Sequence, residues 1–270
     1  MRKIFVLLPL MLCSVCAAQL TKPALVHIRL VTDTSAIQGG KPFRVGLVFD
    51  IAPGWHIYWT NPGESGLATK AVFHFPPGFE VGPITFPVPS RFVLPGGILC
   101  YGYNSQLMLI ANVTPPANLQ PHQQVLASAE TKYLVCEDVC INGKQDTSTM
   151  LSVSRNSGLR NIELFDHWSS LIPVPAGRSQ LVKSATSEDN SVIIQWKQSV
   201  SEVQFFPGAS QSVSIGHITV VNHDSKTEIL FVPKYYDKSK VQPITSVVGF
   251  IDPLGVHRAI ELPVSLNKDQ

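Results

Sequence analysis

The chain has 270 residues, a formal charge of +2, and only 15% Asp, Glu, Lys and Arg. No basic cluster remains once Arg2 and Lys3 are set aside, so nucleic acid is not an expected partner. After the N-terminus no run approaches the ~18 continuous apolar residues of a membrane helix, and the length suffices for two small cores or one large β domain.

In chain order, Arg2 and Lys3 precede the apolar run Ile4 to Leu12 and the small residues Cys16-Ala17-Ala18. This pattern reads as a secretory signal peptide over 1–18, cleaved after Ala18. Five cysteines then reduce to three in the exported chain: Cys100, Cys136 and Cys140. That odd number predicts one disulfide and one unpaired thiol.

Alternating segments follow at Ala24–Val31, Phe43–Phe49, Ala71–Phe75 and Gln106–Val113, and each reads as a half-buried strand. Breaks at Pro53-Gly54, Pro76-Pro77-Gly78, Pro95-Gly96-Gly97 and Pro115-Pro116 separate them. Short strands with frequent turns predict a β-sandwich. One helix is expected from Gly158 to Leu171, with Leu159, Ile162, Phe165 and Trp168 on one face and Pro173 and Pro175 ending it. Strand patterns resume at Ser191–Trp196, Glu202–Phe206, Ser214–Val221, Thr227–Val232 and Ala259–Val264. The organisation predicted is a signal peptide (1–18), a sandwich (19–155), a helical and Pro-rich linker (156–185) and a second sandwich (186–270).

Cys136 and Cys140 carry the sharpest chemical signal. A straight strand would hold their Cα atoms roughly 13 Å apart, whereas a disulfide tolerates about 4.4–6.8 Å. Closure therefore demands that Glu137-Asp138-Val139 reverse the chain, and Asp138 favours such a turn. Leu134-Val135 and Val139-Ile141 then read as strand ends, which puts the dithiol at a sheet edge.

Four stretches carry a family resemblance: Gly54-Trp55-His56-Ile57-Tyr58-Trp59-Thr60-Asn61-Pro62-Gly63-Glu64-Ser65-Gly66, Phe86-Pro87-Val88-Pro89 with Arg91-Phe92, Tyr101-Gly102-Tyr103, and Leu134 to Ile141 around the cysteines. They resemble the periplasmic N-terminal region of the DsbD/ScsB thiol:disulfide interchange proteins, and the ScsB-like branch matches best. Val203 to Pro207 and Val247 to Glu261 look like the second β domain of that branch. The resemblance implies an all-β chain of two immunoglobulin-like sandwiches. It also implies a Cys136/Cys140 pair that passes electrons from a membrane protein to periplasmic thioredoxin-fold partners, with no cofactor and no metal. A covering loop would correspond to Pro95–Asn104, with Tyr101 as the shielding aromatic and Tyr58 near the pair. The family's membrane and thioredoxin-like domains have no counterpart in the sequence, so the expected electron donor is a separate membrane protein.

Other readings of the same residues stay open. The pair could be a structural staple, and Cys100 could be a buried thiol, a third redox participant or a soft Cu(I) ligand. Glu137 and Asp138 would disfavour thiolate beside them by like-charge repulsion. Trp55 and Trp59 read as packing residues and His56 and His74 as hydrogen-bonded structural histidines. No Ser-His-Asp spacing or phosphate loop supports a hydrolase.

Overall fold

The structure is a computed structural model that describes residues 24–266. The expected signal peptide, with Cys13 and Cys16, lies outside the described residues. The first ten strands are β1 (Val26–Thr32), β2 (Phe43–Ile51), β3 (His56–Gly63), β4 (Lys70–His74), β5 (Glu80–Val81), β6 (Ser90–Leu94), β7 (Ile98–Tyr103), β8 (Gln106–Thr114), β9 (Gln124–Cys136) and β10 (Cys140–Ser152). They form two sheets, β1-β2-β8-β5 and β10-β9-β3-β7-β6, and β4 also pairs with β9. After helix α1 (Ile162–Ser170) come β11 (Val174–Pro175), β12 (Val182–Glu188), β13 (Ser191–Trp196), β14 (Ser201–Phe206), β15 (Val213–His223), β16 (Lys226–Tyr235), β17 (Ile244–Ile251) and β18 (His257–Val264). These give two further sheets, β11-β18-β17-β14 and β12-β13-β16-β15. Four sheets thus make two β-sandwich bodies.

Period-2 alternation explains the first core. Leu47 and Phe49 on β2 face Leu109 and Leu107 on β8, and Ile57, Tyr103 and Val135 meet them from the opposing sheet. The half-buried pattern expected for β2 and β8 is not what forms, because Val48 and Met108 on their other face are buried too. Helix α1 is the reason. Arg44, on that second face, lies over the Phe165 ring at 5.0 Å and is held by Asp33 at 2.7 Å, which brings the helix against the sheet. Phe165 and Trp168 belong to the first core, so the helix is packed rather than a free tether.

The helix also starts later than the spacing suggests. Gly158 and Arg160 bond to Ser35 and Asp33 through their backbones, and Asn161 is left-handed with φ 53°. Leu159, expected on the buried helix face, is therefore 79% exposed.

The second core centres on Trp196, which donates its indole N–H to Thr227 Oγ1 at 2.7 Å and packs on Phe250 at 4.6 Å. Phe205 and Phe206 end β14 and point opposite ways. Phe205 stacks on Phe231 inside this core, while Phe206 crosses to the first body and meets Tyr101 edge-on at 5.6 Å and Trp59 at 6.4 Å.

A bulge supports the same junction. Strand β3 has four residues between Tyr58 and Gly63 where β7 has one between Gly102 and Cys100. The extra residues bend outward, and Asn61 Nδ2 donates to Pro207 O at 2.9 Å. The Thr60-Asn61-Pro62-Gly63 stretch therefore ties the two bodies together.

Candidate functional site

The β9–β10 hairpin brings the two cysteines together. Cys136 and Cys140 are register partners across a three-residue turn, their Cα atoms are 4.2 Å apart, and they form a disulfide. Inside the turn, Glu137 N–H donates to Val139 O at 3.1 Å. Strand β10 ends its sheet, so the pair lies at an edge. The two sulfurs differ in access. Cys136 is 1% exposed, whereas Cys140 is exposed between Val139 (61%) and Ile141 (42%).

Strand register explains what surrounds Cys136. Residues directly opposite in antiparallel strands share a face, as do residues two apart in one strand. Cys136 faces His56, Tyr58 lies two residues further along β3 and faces Gly102, Cys100 lies two residues from Gly102, and Phe92 faces Cys100. His56, Tyr58, Cys100, Phe92 and Cys136 thus form one row across four strands, on the face turned away from the first core. Tyr58, Cys100 and Cys136 are a small buried cluster of their own, with Phe92, Leu94 and Leu134 packed on it.

Polar contacts follow this row. Tyr58 O–H donates to Cys136 Sγ at 3.3 Å, and His56 Nε2 is 3.3 Å from the same hydroxyl. The His56 ring stacks on Phe92 at 5.4 Å. Burial lowers the His56 pKa, which keeps the imidazole neutral near pH 7. Burial also raises the Tyr58 phenol, with Cys100 adding to the effect. Two glycines make the row possible. Any Cβ at Gly102 would strike the Ile57 carbonyl, and one at Gly66, where φ is +107°, would strike the Tyr58 ring.

The segment expected as a covering loop, Pro95–Asn104, is mostly strand. Pro95-Gly96-Gly97 is the turn of a β6–β7 hairpin, and β7 continues the sheet beside β3. Glu64 holds the hairpin through its backbone N–H to Leu99 O and its carboxylate to Leu99 N, both at 2.8 Å. Tyr101 occupies the opposite face from Cys100 and packs on Phe206; burial pushes its phenol up to about 12. The aromatic that the β6–β7 hairpin places beside the sulfur cluster is Phe92. Its signal lay in the run Ser90 to Leu94 followed by Pro-Gly-Gly, which is a hairpin pattern.

Cys100 is fully buried, is the free cysteine among the described residues, and donates S–H to Ser65 O at 3.5 Å. Burial, with Glu64 nearby, raises its pKa and holds it as a thiol. Strand β3 runs between β7 and β9, a separation of roughly 9.5 Å that exceeds disulfide reach. Among the described residues no group of three or more His, Cys, Asp or Glu could hold a metal ion, and no helix is long and apolar enough to cross a membrane.

Fold and site together define a β-sandwich domain with a disulfide hairpin on a sheet edge, one sulfur open and the other enclosed by aromatics. Residues 28–152 match the family described as thiol:disulfide interchange protein DsbD, N-terminal, and this part of the chain is a DsbD N-terminal family domain. The N-terminal periplasmic domain of ScsB from Proteus mirabilis superposes with a TM-score of 0.62 at 17% identity, over 92% of this chain and 97% of that one. It shares the fold across both bodies. The reduced DsbD N-terminal domain of Neisseria meningitidis aligns over 48% of this chain and 89% of its own, at 15% identity and a TM-score of 0.29, too low to compare folds. No curated protein matches the chain.

Proposed function

We propose that this is a periplasmic thiol–disulfide interchange protein. It takes electrons from a membrane electron-transfer protein and relays them through Cys136 and Cys140 to periplasmic thioredoxin-fold partners. Its two sandwiches are read as immunoglobulin-like, and the second as the brace of the first. The observation that carries the reading is the unequal access of the two sulfurs in an edge hairpin. Exchange needs one sulfur that a partner can reach and a second placed to resolve the mixed disulfide. Cys140, flanked by exposed Val139 and Ile141, meets the first need, and buried Cys136 the second.

In this reading a donor thiolate attacks Cys140 Sγ and forms a bond to it. The Cys136–Cys140 bond breaks, and its electron pair leaves on Cys136 Sγ. The donor's second thiolate then attacks the donor sulfur of the mixed disulfide, so that the donor's own disulfide forms and the bond to Cys140 Sγ breaks with its electron pair on Cys140. The protein takes up protons as a dithiol, which passes both electrons onward by the reverse sequence. The β6–β7 hairpin, with Phe92 on its sulfur side and Tyr101 held by Phe206, limits access from above. The site needs no cofactor for this chemistry.

The test is transfer itself. Reduced protein mixed with an oxidised thioredoxin-fold protein should lose two thiols as the partner gains two, read by alkylation and mass shift. Retention of both thiols at equilibrium across several such partners would refute the proposed role.

A further inference from the structure

We propose that His56 is a positioning residue for exchange: its Nε2–H donates to Tyr58 Oη, which turns the single Tyr58 hydroxyl proton onto Cys136 Sγ. The inference rests on the reading that Cys136 is the sulfur released when the disulfide opens. Three observations carry it. His56 Nε2, Tyr58 Oη and Cys136 Sγ form a chain with two 3.3 Å links. His56 is the register partner of Cys136, and both are buried. Phe92 stacks on the imidazole, and Gly66 leaves no room for Tyr58 to swing away, so both rings have fixed orientations.

The donor count makes the arrangement directional. A phenol has one proton to give, and a neutral imidazole has one N–H. With the proton on Nδ1, Nε2 would be an acceptor competing with sulfur for the Tyr58 proton. With the proton on Nε2, the hydroxyl oxygen is already occupied as an acceptor and its proton is left for sulfur. A disulfide sulfur is a weak acceptor and a thiolate a strong one, so the link tightens as the Cys136–Cys140 bond breaks and negative charge collects on Cys136 Sγ. A lower proton affinity at the leaving thiolate speeds its departure. Glu137 and Asp138 in the turn, Cys100 beside Tyr58, Glu64 beside Cys100, and Arg91 on β6 also bear on this charge, and none changes in the variants below.

The test is a pH titration of the reduced protein by cysteine 13Cβ NMR, which resolves Cys136 from Cys140 and Cys100. His56→Phe and Tyr58→Phe should each raise the proton affinity of the Cys136 thiolate about tenfold, the scale of one hydrogen bond to a charged group. The double variant should rise no further than either alone. His56→Gln, whose amide N–H reaches the same hydroxyl, should stay near the wild-type value. In the unmodified reduced protein, 15N shifts should place the His56 proton on Nε2. A proton on Nδ1, or equal Cys136 affinities in His56→Phe and His56→Gln, would overturn the assignment. These readouts use no partner protein, so they are independent of the transfer assay.

Discussion

A Cys136→Ser variant is expected to accumulate a mixed disulfide through Cys140 when mixed with an oxidised thioredoxin-fold protein, and Cys140→Ser to accumulate essentially none. The difference follows from access alone. With Cys136 removed, Cys140 remains on the exposed side of the hairpin, and no second thiol of this chain can resolve the bond it forms. Cys100 cannot substitute, because β3 separates its strand from β9 and it is buried on the far side of Tyr58. With Cys140 removed, the remaining sulfur of the pair is Cys136, 1% exposed beneath Tyr58. Non-reducing gels followed by mass mapping check the result. Trapping through Cys136 at comparable yield would mean the hairpin opens far more widely than its packing suggests, and would reverse the roles given to the two cysteines.

The second large effect is expected at Phe206→Ala. Phe206 belongs to a strand of the second body, yet it is 2% exposed within the first body's core, against Tyr101 and Trp59. Truncating a buried Phe costs about 3–5 kcal/mol through lost contacts and a residual cavity. Here the loss should appear in both bodies, lowering the first body's unfolding transition in calorimetry although the substitution lies in the second. Phe205→Ala is the control, since Phe205 packs on Phe231 and should affect only the second body's transition. A Phe206→Ala effect confined to the second body would show that Phe206 is not the brace.

Sequence patterning made the strands legible where one face is wet. Ser191–Trp196 has the alternation of a half-buried strand, and the structure places β13 over the same residues. The cysteine turn was legible for a different reason: a spacing of four is incompatible with a disulfide in an extended chain, so a reversal was forced. Legibility failed where distant elements decide the outcome. The buried second face of β2 depends on Phe165, more than a hundred residues later. In the β6–β7 hairpin, Pro95-Gly96-Gly97 read as loop, and the strands beside it are held because β7 pairs with β3 and β6 with β7.

The face taken by Tyr101 follows from the register of β7 against a bulged β3, which local propensity does not encode. Phe205-Phe206 is apolar at both positions, so nothing in the dipeptide says that one ring enters each body. His56 was legible as a hydrogen-bonded histidine, but its partner depends on cross-strand register with Cys136 and on the Gly66 approach to Tyr58.

The reduction potential of the Cys136–Cys140 disulfide separates a working redox centre from a structural staple. Equilibration of the protein with glutathione buffers should give a value above about −300 mV, because Cys140 is open to attack and the thiolate released at Cys136 meets a hydroxyl donor. A potential well below about −300 mV, resistant to the glutathione pool, would make the bond structural and rule out the proposed relay.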